Sequence, residues 1–315
     1  MSLAPSQPAD LPIQAPVIAD PSAATTADAL PPGDRRNRVM WLNNDRVFYA
    51  GLLGQVSQRT LGGWLVYVSL GAPLRLSLGW AAGQGDGPWI STDLAVLPPG
   101  TPHRVACAQR LVCSLTIEPE TVDEARLPAW LLQCERLQPL DAQAAAATVQ
   151  RVRQAHREMR TRGAAIGLDT ARFDELFFGE CLPARRVDAR IARVLDDIRN
   201  DPARALSAQQ AASATGLSYS RFLHLFKAEA GRSFRSLRTW KRARSLLHHV
   251  TRDTNLVQVA LDAGYPDSTH FSHSIRQVYG LKPGDVFAGS RQLTVLGDSP
   301  AARAALQAQR GLGRL

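Results

Sequence analysis

Two nine-residue segments in the last third of the chain hold the side chains best suited to bind a partner. They run from Ser218 to Phe226 and from Asp267 to Ile275. In each segment two apolar residues stand four positions apart, which predicts one buried stripe on a helix. The opposite face of each helix keeps hydroxyl, imidazole and basic side chains. These groups form hydrogen bonds and contact negative charge, so they indicate binding rather than catalysis.

Patterns that enzymes use are absent from the rest of the sequence. It contains no Ser/His/Asp arrangement, glycine-rich phosphate loop or pair of catalytic carboxylates. Its four cysteines have no CxxC or Cys/His metal spacing. Reduced thiols are the expected state, with a redox pair of Cys107 and Cys113 as the alternative. We therefore expect no enzymatic activity, no cofactor and no metal.

The positive charge of the chain is concentrated in one region. The whole sequence has a net charge of +9, and residues 183–290 hold 17 Lys and Arg against 9 Asp and Glu. A basic region beside a neutral one predicts a polyanionic partner for that region. Composition by itself does not separate DNA from RNA, an acidic protein or a membrane surface.

Composition and periodicity divide the chain into five parts. Residues 1–37 are rich in Ala, Pro, Asp and Ser, which predicts a flexible arm. Short β-type runs over residues 38–120 predict a β-domain, and a helical region follows at 121–182. We expect a helical domain at 183–287 and a flexible tail at 288–315. The clearest predicted strands are Arg46–Tyr49, Trp64–Leu70, Leu74–Leu78, Asp93–Leu97 and Leu111–Ile117.

The region at 121–182 is predicted to contain two helices. These are Asp141–Arg162 and Thr170–Phe178, with a break that begins at Gly179. Their apolar stripes leave two arrangements open: the helices pack against a second copy of the chain, or they cover the open face of the β-domain.

The basic region contains an internal repeat. Ser207 and Asn255 each begin a predicted capping box, in which a glutamine three residues later reaches back to the helix start. Nine residues after each cap stands a glycine, Gly216 or Gly264, that can adopt the positive φ of a helix end. A polar helix start follows each glycine. One helix–glycine–helix unit is common in helical proteins, but two copies in a basic region favour helix-turn-helix units that enter the major groove.

A long helix is predicted between the two units, from Phe234 to Val250. Its length sets the spacing of the reading helices, and adjacent major grooves on one DNA face lie ~34 Å apart. One copy of the chain could thus contact two grooves. The basic residues of this helix suit phosphate contacts, although some are expected only to be solvated: Arg235, Arg238, Lys241, Arg242 and Arg244.

The basic region resembles the AraC/XylS family of transcription regulators over about a hundred residues. The residues of the first unit and the linker helix that carry the resemblance are Leu206-Ser207, Gly216-Leu217-Ser218, Ser220-Arg221-Phe222, Leu225-Phe226-Lys227, Gly231-Arg232-Ser233-Phe234, Ala243 and Leu246-Leu247. Those of the second unit are Ala260, Ala263-Gly264-Tyr265, Asp267-Ser268, His270-Phe271-Ser272 and Tyr279-Gly280-Leu281-Lys282-Pro283.

The resemblance implies which residues face DNA. Base-reading positions near the start of each second helix are Ser220, Arg221 and His224, then Ser268, Thr269, Ser272 and His273. Lys227 and Arg276 suit phosphates, which give affinity rather than sequence choice. Arg221 is the strongest candidate because arginine can pair with guanine. We therefore expect more sequence discrimination from the first unit and mainly positioning from the second.

Two departures from the family pattern affect the reading helices. Relatives often carry arginine where this chain has His224 and His273, so both helices lack a permanent charge at the same place. A neutral histidine still makes one hydrogen bond to a base edge. Ile275 stands where relatives usually have phenylalanine, which bears on the packing of the second reading helix.

The β-domain resembles, more weakly, the cupin-like sensing domains attached to such regulators. The matching segments are Leu97-Pro98-Pro99-Gly100-Thr101-Pro102-His103 and Ala72-Pro73-Leu74-Arg75-Leu76. The implied fold class is an α+β multidomain protein: a cupin-like β-barrel with a helical dimerisation region, then an all-α domain with two helix-turn-helix units. The barrel would hold an effector. Weak candidates for the pocket are Trp64, Tyr67, Trp80, Trp89 and His103. An ordinary place in the core is the alternative for the tryptophans.

Three functions compete. The first is an effector-responsive transcription regulator, and the second is a DNA-binding regulator whose barrel serves only dimerisation or protein interaction. The third, a cupin-type enzyme fused to a DNA-binding domain, is disfavoured because His103 lacks further metal-ligating histidines. The candidate partners are double-stranded DNA, a small-molecule effector, a second copy of the chain in a homodimer, and RNA polymerase. We expect a cytoplasmic protein with no membrane association.

Overall fold

The computed structural model describes residues 38–78, 87–108, 111–132, 142–162, 169–250, 255–290 and 293–297. The predicted flexible arm lies outside these residues, as do Trp80 and Cys134. In the part of the chain that is described, no helix is long and apolar enough to cross a membrane.

The β-domain contains eight of the described strands. They are β1 Val39–Leu42, β2 Arg46–Leu52, β3 Trp64–Val68, β4 Leu74–Leu78, β5 Trp89–Thr92, β6 Leu94–Leu97, β7 His103–Cys107 and β8 Leu111–Ile117. A ninth strand, β9 Thr294–Gly297, comes from the end of the chain. The large sheet has the order β6-β3-β8-β2-β1-β9 and the small sheet the order β5-β4-β7. Only β1 and β9 pair in parallel among the described strands.

The strands do not close into the barrel that the cupin resemblance implied. Successive side chains of β3 point to opposite faces of the large sheet, and both faces are covered. Leu65 and Tyr67 point into an apolar core that also holds residues of the small sheet. Trp64 and Val66 point into the core on the other face. At β1, the face of the large sheet that packs against the small sheet elsewhere is covered by the helical domain instead. Met40 and Leu42 pack against the helical domain, which therefore takes the place where strands would have to close a barrel.

The helices of the 121–182 region cover the outer face of the large sheet. They are α1 Ala129–Leu132, α2 Ala142–Arg162 and α3 Thr170–Phe178, and Gly179 ends α3 with φ of 84°. Val152 of α2 and Phe173 and Phe177 of α3 are buried in the same core as the strands. The apolar stripes of these helices therefore cover the β-domain, which is one of the two arrangements that the sequence left open.

The basic region forms a helical domain, with helices α4 Ala189–Asn200, α5 Ala208–Ala214, α6 Tyr219–Ala230, α7 Phe234–Ser245, α8 Leu256–Asp262, α9 Ser268–Tyr279 and α10 Pro283–Ser290. The linker helix α7 is shorter than predicted and continues only as a 3₁₀ turn at Leu246–His248. The prediction of a flexible tail from residue 288 is wrong for β9, which adds a strand to the edge of the large sheet beside β1.

Candidate nucleic-acid interface

Local capping places the reading helix of the first unit. The Ser207 hydroxyl accepts from the Gln210 amide N–H at 3.1 Å, while the Gln210 side chain accepts from the Ser207 N–H at 2.8 Å. This is the predicted capping box, and it begins α5. Gly216 then adopts φ of 66° in the turn, and Ser218 caps the start of α6.

The second unit follows the same plan with different contacts. The Asn255 side chain caps α8 through the Val257 N–H, but Gln258 donates instead to Asp262, so the capping box predicted here does not form. Gly264 adopts φ of 74° in the turn. The carboxylate of Asp267 then accepts from the first N–H groups of α9, where a negative charge also complements the helix dipole.

Both reading helices bury the apolar stripe that the sequence predicts. Phe222 and Phe226 of α6 are completely buried and lie against Phe234. In α9 Phe271 and Ile275 are buried to the same degree. Isoleucine at position 275 is thus fully packed in the core of the second unit.

The two reading helices are equivalent at an offset of 49 residues. Each has twelve residues, and each ends at a glycine in the left-handed region, Gly231 or Gly280. Of the predicted DNA contacts, Ser272 is half-buried and the other eight are exposed: Ser220, Arg221, His224, Lys227, Ser268, Thr269, His273 and Arg276. The structure therefore presents them on the outer faces of two matched helices.

The first reading helix carries more exposed cations than the second. Arg221, Lys227 and Arg276 have no ion pair among the described residues. The position in α9 that matches Arg221 is His270, whose Nδ1 lies 2.8 Å from a carboxylate oxygen of Asp267. The imidazole of His270 is thus held at the helix start. The expectation that the first unit discriminates more strongly stays a prediction.

Two of the linker-helix cations predicted to contact phosphates are buried instead. Lys241 and Arg244 have side chains that are each 5% exposed. Lys241 Nζ donates to Glu118 Oε2 at 2.8 Å and also contacts Glu120. Arg244 Nε lies 2.6 Å from Glu118 Oε1. The prediction is wrong for these two residues because they form buried ion pairs with carboxylates of the β-domain, so their charges do not face solvent.

Two more linker arginines stabilise the loop between α4 and α5. Arg238 donates to the carbonyl of Arg204 at 2.8 Å, and Arg242 donates to that of Pro202 at 3.4 Å. Of the five linker cations only Arg235 remains exposed.

Glu118 is a residue at the contact between the two domains that the sequence did not predict. It is completely buried just after β8, where it also accepts from the Trp240 indole N–H at 2.8 Å. Burial opposes its ionisation, but the charges of Lys241 and Arg244 outweigh burial and hold the pKa of Glu118 below its usual value. A Glu-x-Glu pair directly after a strand was the available signal, although nothing local connects it to a helix more than a hundred residues away.

The residues suggested for an effector pocket are dispersed. Trp64 lies in the core beneath α2 and α3, and the Trp89 ring lies near the guanidinium groups of Arg75 and Arg104. His103 is buried, with Nε2 3.0 Å from the Tyr67 hydroxyl. Among the candidates that the structure describes, Tyr67 alone borders a cavity of about 340 Å³ between the β-domain and the helical domain.

The cysteines of the predicted redox alternative are not joined. Cys107 is half-buried and Cys113 is completely buried, and both are free thiols. Burial raises the pKa of the Cys113 thiol, which disfavours the reactive thiolate. Within the described residues, no group of three His, Cys, Asp or Glu side chains could hold a metal ion.

A model of a protein family, described as a helix-turn-helix domain, matches residues 211–289. This range covers the linker helix, the second unit and most of the first. Residues 211–289 therefore match a helix-turn-helix domain, as the sequence predicted.

Curated relatives that match part of this chain include the invasion protein InvF of Salmonella typhi and its counterpart in Salmonella typhimurium. Each is 38% identical over 69 residues, which are 22% of this chain and 32% of the relative. The chain thus spans about a third of the length of the curated relatives it matches.

Solved structures with a distant similarity to this chain include ToxT and the DNA-binding domain of AdpA. ToxT from Vibrio cholerae O395 has 11% identity and a TM-score of 0.45 over 78% of this chain and 98% of its own. The DNA-binding domain of AdpA, a global transcriptional factor in complex with a target DNA, has 16% identity and a TM-score of 0.32. It covers 33% of this chain and 95% of its own.

Proposed function

We propose that this chain is a transcription regulator that binds double-stranded DNA in a sequence-specific way through both helix-turn-helix units. The observation that carries the proposal is the pair of matched helices α6 and α9. Each buries an apolar stripe and leaves an exposed polar face, on which Arg221 and Lys227 in α6 and Arg276 in α9 form no ion pair with another described residue. Base contacts from Arg221 would set sequence preference, and phosphate contacts from Lys227 and Arg276 would supply affinity.

Selection from a random DNA library by the full chain tests the proposal, followed by affinity measurements on the enriched site. We expect Arg221→Ala to relax base preference in one half of the site by about 1–3 kcal/mol. Lys227→Ala should weaken binding to all sequences and lower the slope of log affinity against log salt by about one. The matched control is Arg157→Ala, an exposed arginine on α2. A library without enrichment, or equal effects of all three variants, would contradict specific reading by these helices.

Control by a small-molecule effector is the second part of the proposal. The cavity of about 340 Å³ favours it, because its walls come from both the β-domain and the helical domain. The competing function, a β-domain used only for protein interaction, predicts that no compound in a broad metabolite panel raises the melting temperature. Homodimerisation and contact with RNA polymerase are further predictions, to be tested by sedimentation and by transcription in vitro.

A further inference from the structure

The first reading helix begins with an exposed aromatic residue. Tyr219 is the first residue of α6, and it is 49% exposed. Of the four large apolar side chains that the described residues leave exposed, Tyr219 is the aromatic one, and the others are Val56, Val257 and Leu261. Its hydroxyl has no hydrogen-bond partner and its ring contacts no other aromatic ring among the described residues. No polar or ring contact within the described fold therefore accounts for a tyrosine at this position.

The position of Tyr219 on α6 places its ring outside the core. It stands three residues before Phe222, on the same side of the helix as the buried stripe, but Phe222 is the first residue of α6 that is buried. Helical side chains lean towards the N-terminus of their helix, so a side chain at the first position is directed past the end of the helix. Arg221 lies on the opposite side of the same turn. The two side chains thus flank the N-terminal end of α6.

The second reading helix has a small polar residue at the equivalent position. At the offset of 49 residues, Tyr219 corresponds to Ser268, the first residue of α9, which is also exposed. Three other exposed positions keep the same type of side chain in both helices, namely the pairs Ser220 and Thr269, His224 and His273, and Lys227 and Arg276. At the first position a large ring takes the place of a hydroxyl group, so the two units differ there in what they can contact.

We propose that Tyr219 reads a thymine, through contact between its ring and the thymine C5-methyl group in the major groove. The N-terminal residues of the second helix of a helix-turn-helix unit reach base edges. Base pairs present hydrogen-bond donors and acceptors in that groove, and thymine adds an apolar methyl group. An aromatic ring can cover this methyl group and exclude water from it. The inference rests on the proposed function, because it concerns which bases the first unit selects.

This contact would add a second kind of base recognition to the first unit. The Arg221 guanidinium suits guanine, whereas the Tyr219 ring suits thymine from the opposite side of the same turn. The two residues would therefore select different positions of one half of the DNA site. Ser268 has no apolar surface that could bury a methyl group, so the second unit should not select thymine in this way.

Replacement of single thymines by deoxyuridine tests the inference with the wild-type chain. Deoxyuridine lacks the methyl group and keeps the hydrogen-bonding groups of thymine. The DNA is the site enriched by the full chain from a random library, and the half bound by the first unit is the half in which Arg221→Ala relaxes base preference. We expect one replacement in that half to weaken binding about fourfold, the effect of burying one methyl group. If no replacement there weakens binding, the inference is wrong.

Three variants assign the effect to the Tyr219 ring. Tyr219→Ala should bind the thymine and uracil sites equally, because no ring remains to cover the methyl group, whereas Tyr219→Phe should keep the preference of the wild type. The matched control is Val257→Ala, since Val257 is 52% exposed on α8, outside the reading helices, and this variant should keep the full uracil effect. Melting temperatures establish that each variant is folded.

The possible outcomes separate the inference from the proposed function. A library without enrichment would contradict the proposed function itself. An enriched site that is insensitive to uracil, or a uracil effect that persists in Tyr219→Ala, would contradict only the inference. Loss of the effect in Tyr219→Phe would also overturn it, because the hydroxyl rather than the ring would then make the contact. Normal DNA binding by Tyr219→Ala with reduced transcription in vitro would assign Tyr219 to a protein contact instead.

Discussion

Glu118 shows how a single residue connects the two domains. Its completely buried carboxylate lies within 2.8 Å of Trp240, Lys241 and Arg244 of the linker helix, which are also buried. Removal of one partner from a buried ion pair leaves an uncompensated charge, at a typical cost of 3–5 kcal/mol. The linker helix is therefore fixed to the β-domain by charge as well as by apolar packing.

We expect Glu118→Gln to lower the free energy of unfolding at pH 7 by about 3–5 kcal/mol. Because the folded-state pKa of Glu118 lies below its unfolded value, its contribution is fully present above the unfolded pKa. It is lost as the pH falls through the folded-state pKa, so wild type and variant should converge in acid. Urea unfolding as a function of pH measures both effects. Glu175→Gln, at an exposed pair with Arg172, is the control and should change stability by less than ~1 kcal/mol.

His224 and His273 occupy equivalent exposed positions in the second turn of α6 and α9. We predict that alanine at either position relaxes base preference in one half of the DNA site. A single hydrogen bond is worth about 0.5–1.5 kcal/mol, so each effect should be smaller than that of Arg221→Ala. Competition between DNA sites that differ at single base pairs measures it. Unchanged preference in both variants would remove the two histidines from the set of base-reading residues.

At the scale of elements, the two turn glycines are equivalent in conformation but not in surroundings. Both have positive φ, 66° for Gly216 and 74° for Gly264. A Cβ atom at Gly216 would meet nothing within 4 Å, whereas one at Gly264 would lie 2.3 Å from the carbonyl oxygen of Ala203. The second turn therefore packs against the loop that precedes α5 in the first unit.

This difference predicts unequal costs for the same substitution. Gly216→Ala should lower the free energy of unfolding by about 1–2 kcal/mol, the cost of a left-handed alanine. Gly264→Ala should cost more, because the backbone of Ala203 must also move. Urea unfolding of both variants checks the order. Equal costs would show that the two units do not pack at this loop.

Strand β9 attaches the end of the chain to the large sheet. Leu296 is 6% exposed and lies in the core beneath α2 and α3. We expect Leu296→Ala to lower the free energy of unfolding by about 2–5 kcal/mol. Leu261→Ala is the matched control, since Leu261 is 52% exposed and its loss should cost less than ~0.5 kcal/mol. Similar values for the two leucines in urea unfolding would contradict the docking of β9.

At the scale of the whole molecule, the two helix-turn-helix units differ in the hydrophobic core that each packs into. The first unit has a core of its own, built from α4, α5, α6 and the start of α7. The second unit shares its core with the β-domain, where Met40, Leu42 and Val47 pack beside Phe271 and Ile275. The position of α9 thus depends on the β-domain much more directly than that of α6.

Met40→Ala should therefore affect the second unit selectively. We expect a loss of about 2–5 kcal/mol from the cavity it leaves, with faster hydrogen exchange in α8 and α9 than in α5 and α6. Val194→Ala in the first core should show the reverse pattern. Uniform acceleration in both variants would mean that the domain unfolds as one unit.

Local signals in the sequence were sufficient for the helix-turn-helix units. Caps at Ser207 and Ser218, turn glycines at 216 and 264, and apolar residues four apart act within a few residues, so they could be interpreted without knowing the fold. The strands β4 and β8 and the helix α3 agree with prediction to the residue for the same reason.

Contacts between distant residues were decided only by the tertiary structure. The capping box predicted at Asn255 lost Gln258 to Asp262, and the predicted phosphate contacts of Lys241 and Arg244 were replaced by buried pairs with Glu118. Charge and hydrogen-bonding capacity are properties of the sequence, but which partner satisfies them depends on which elements become neighbours and on how completely water is excluded.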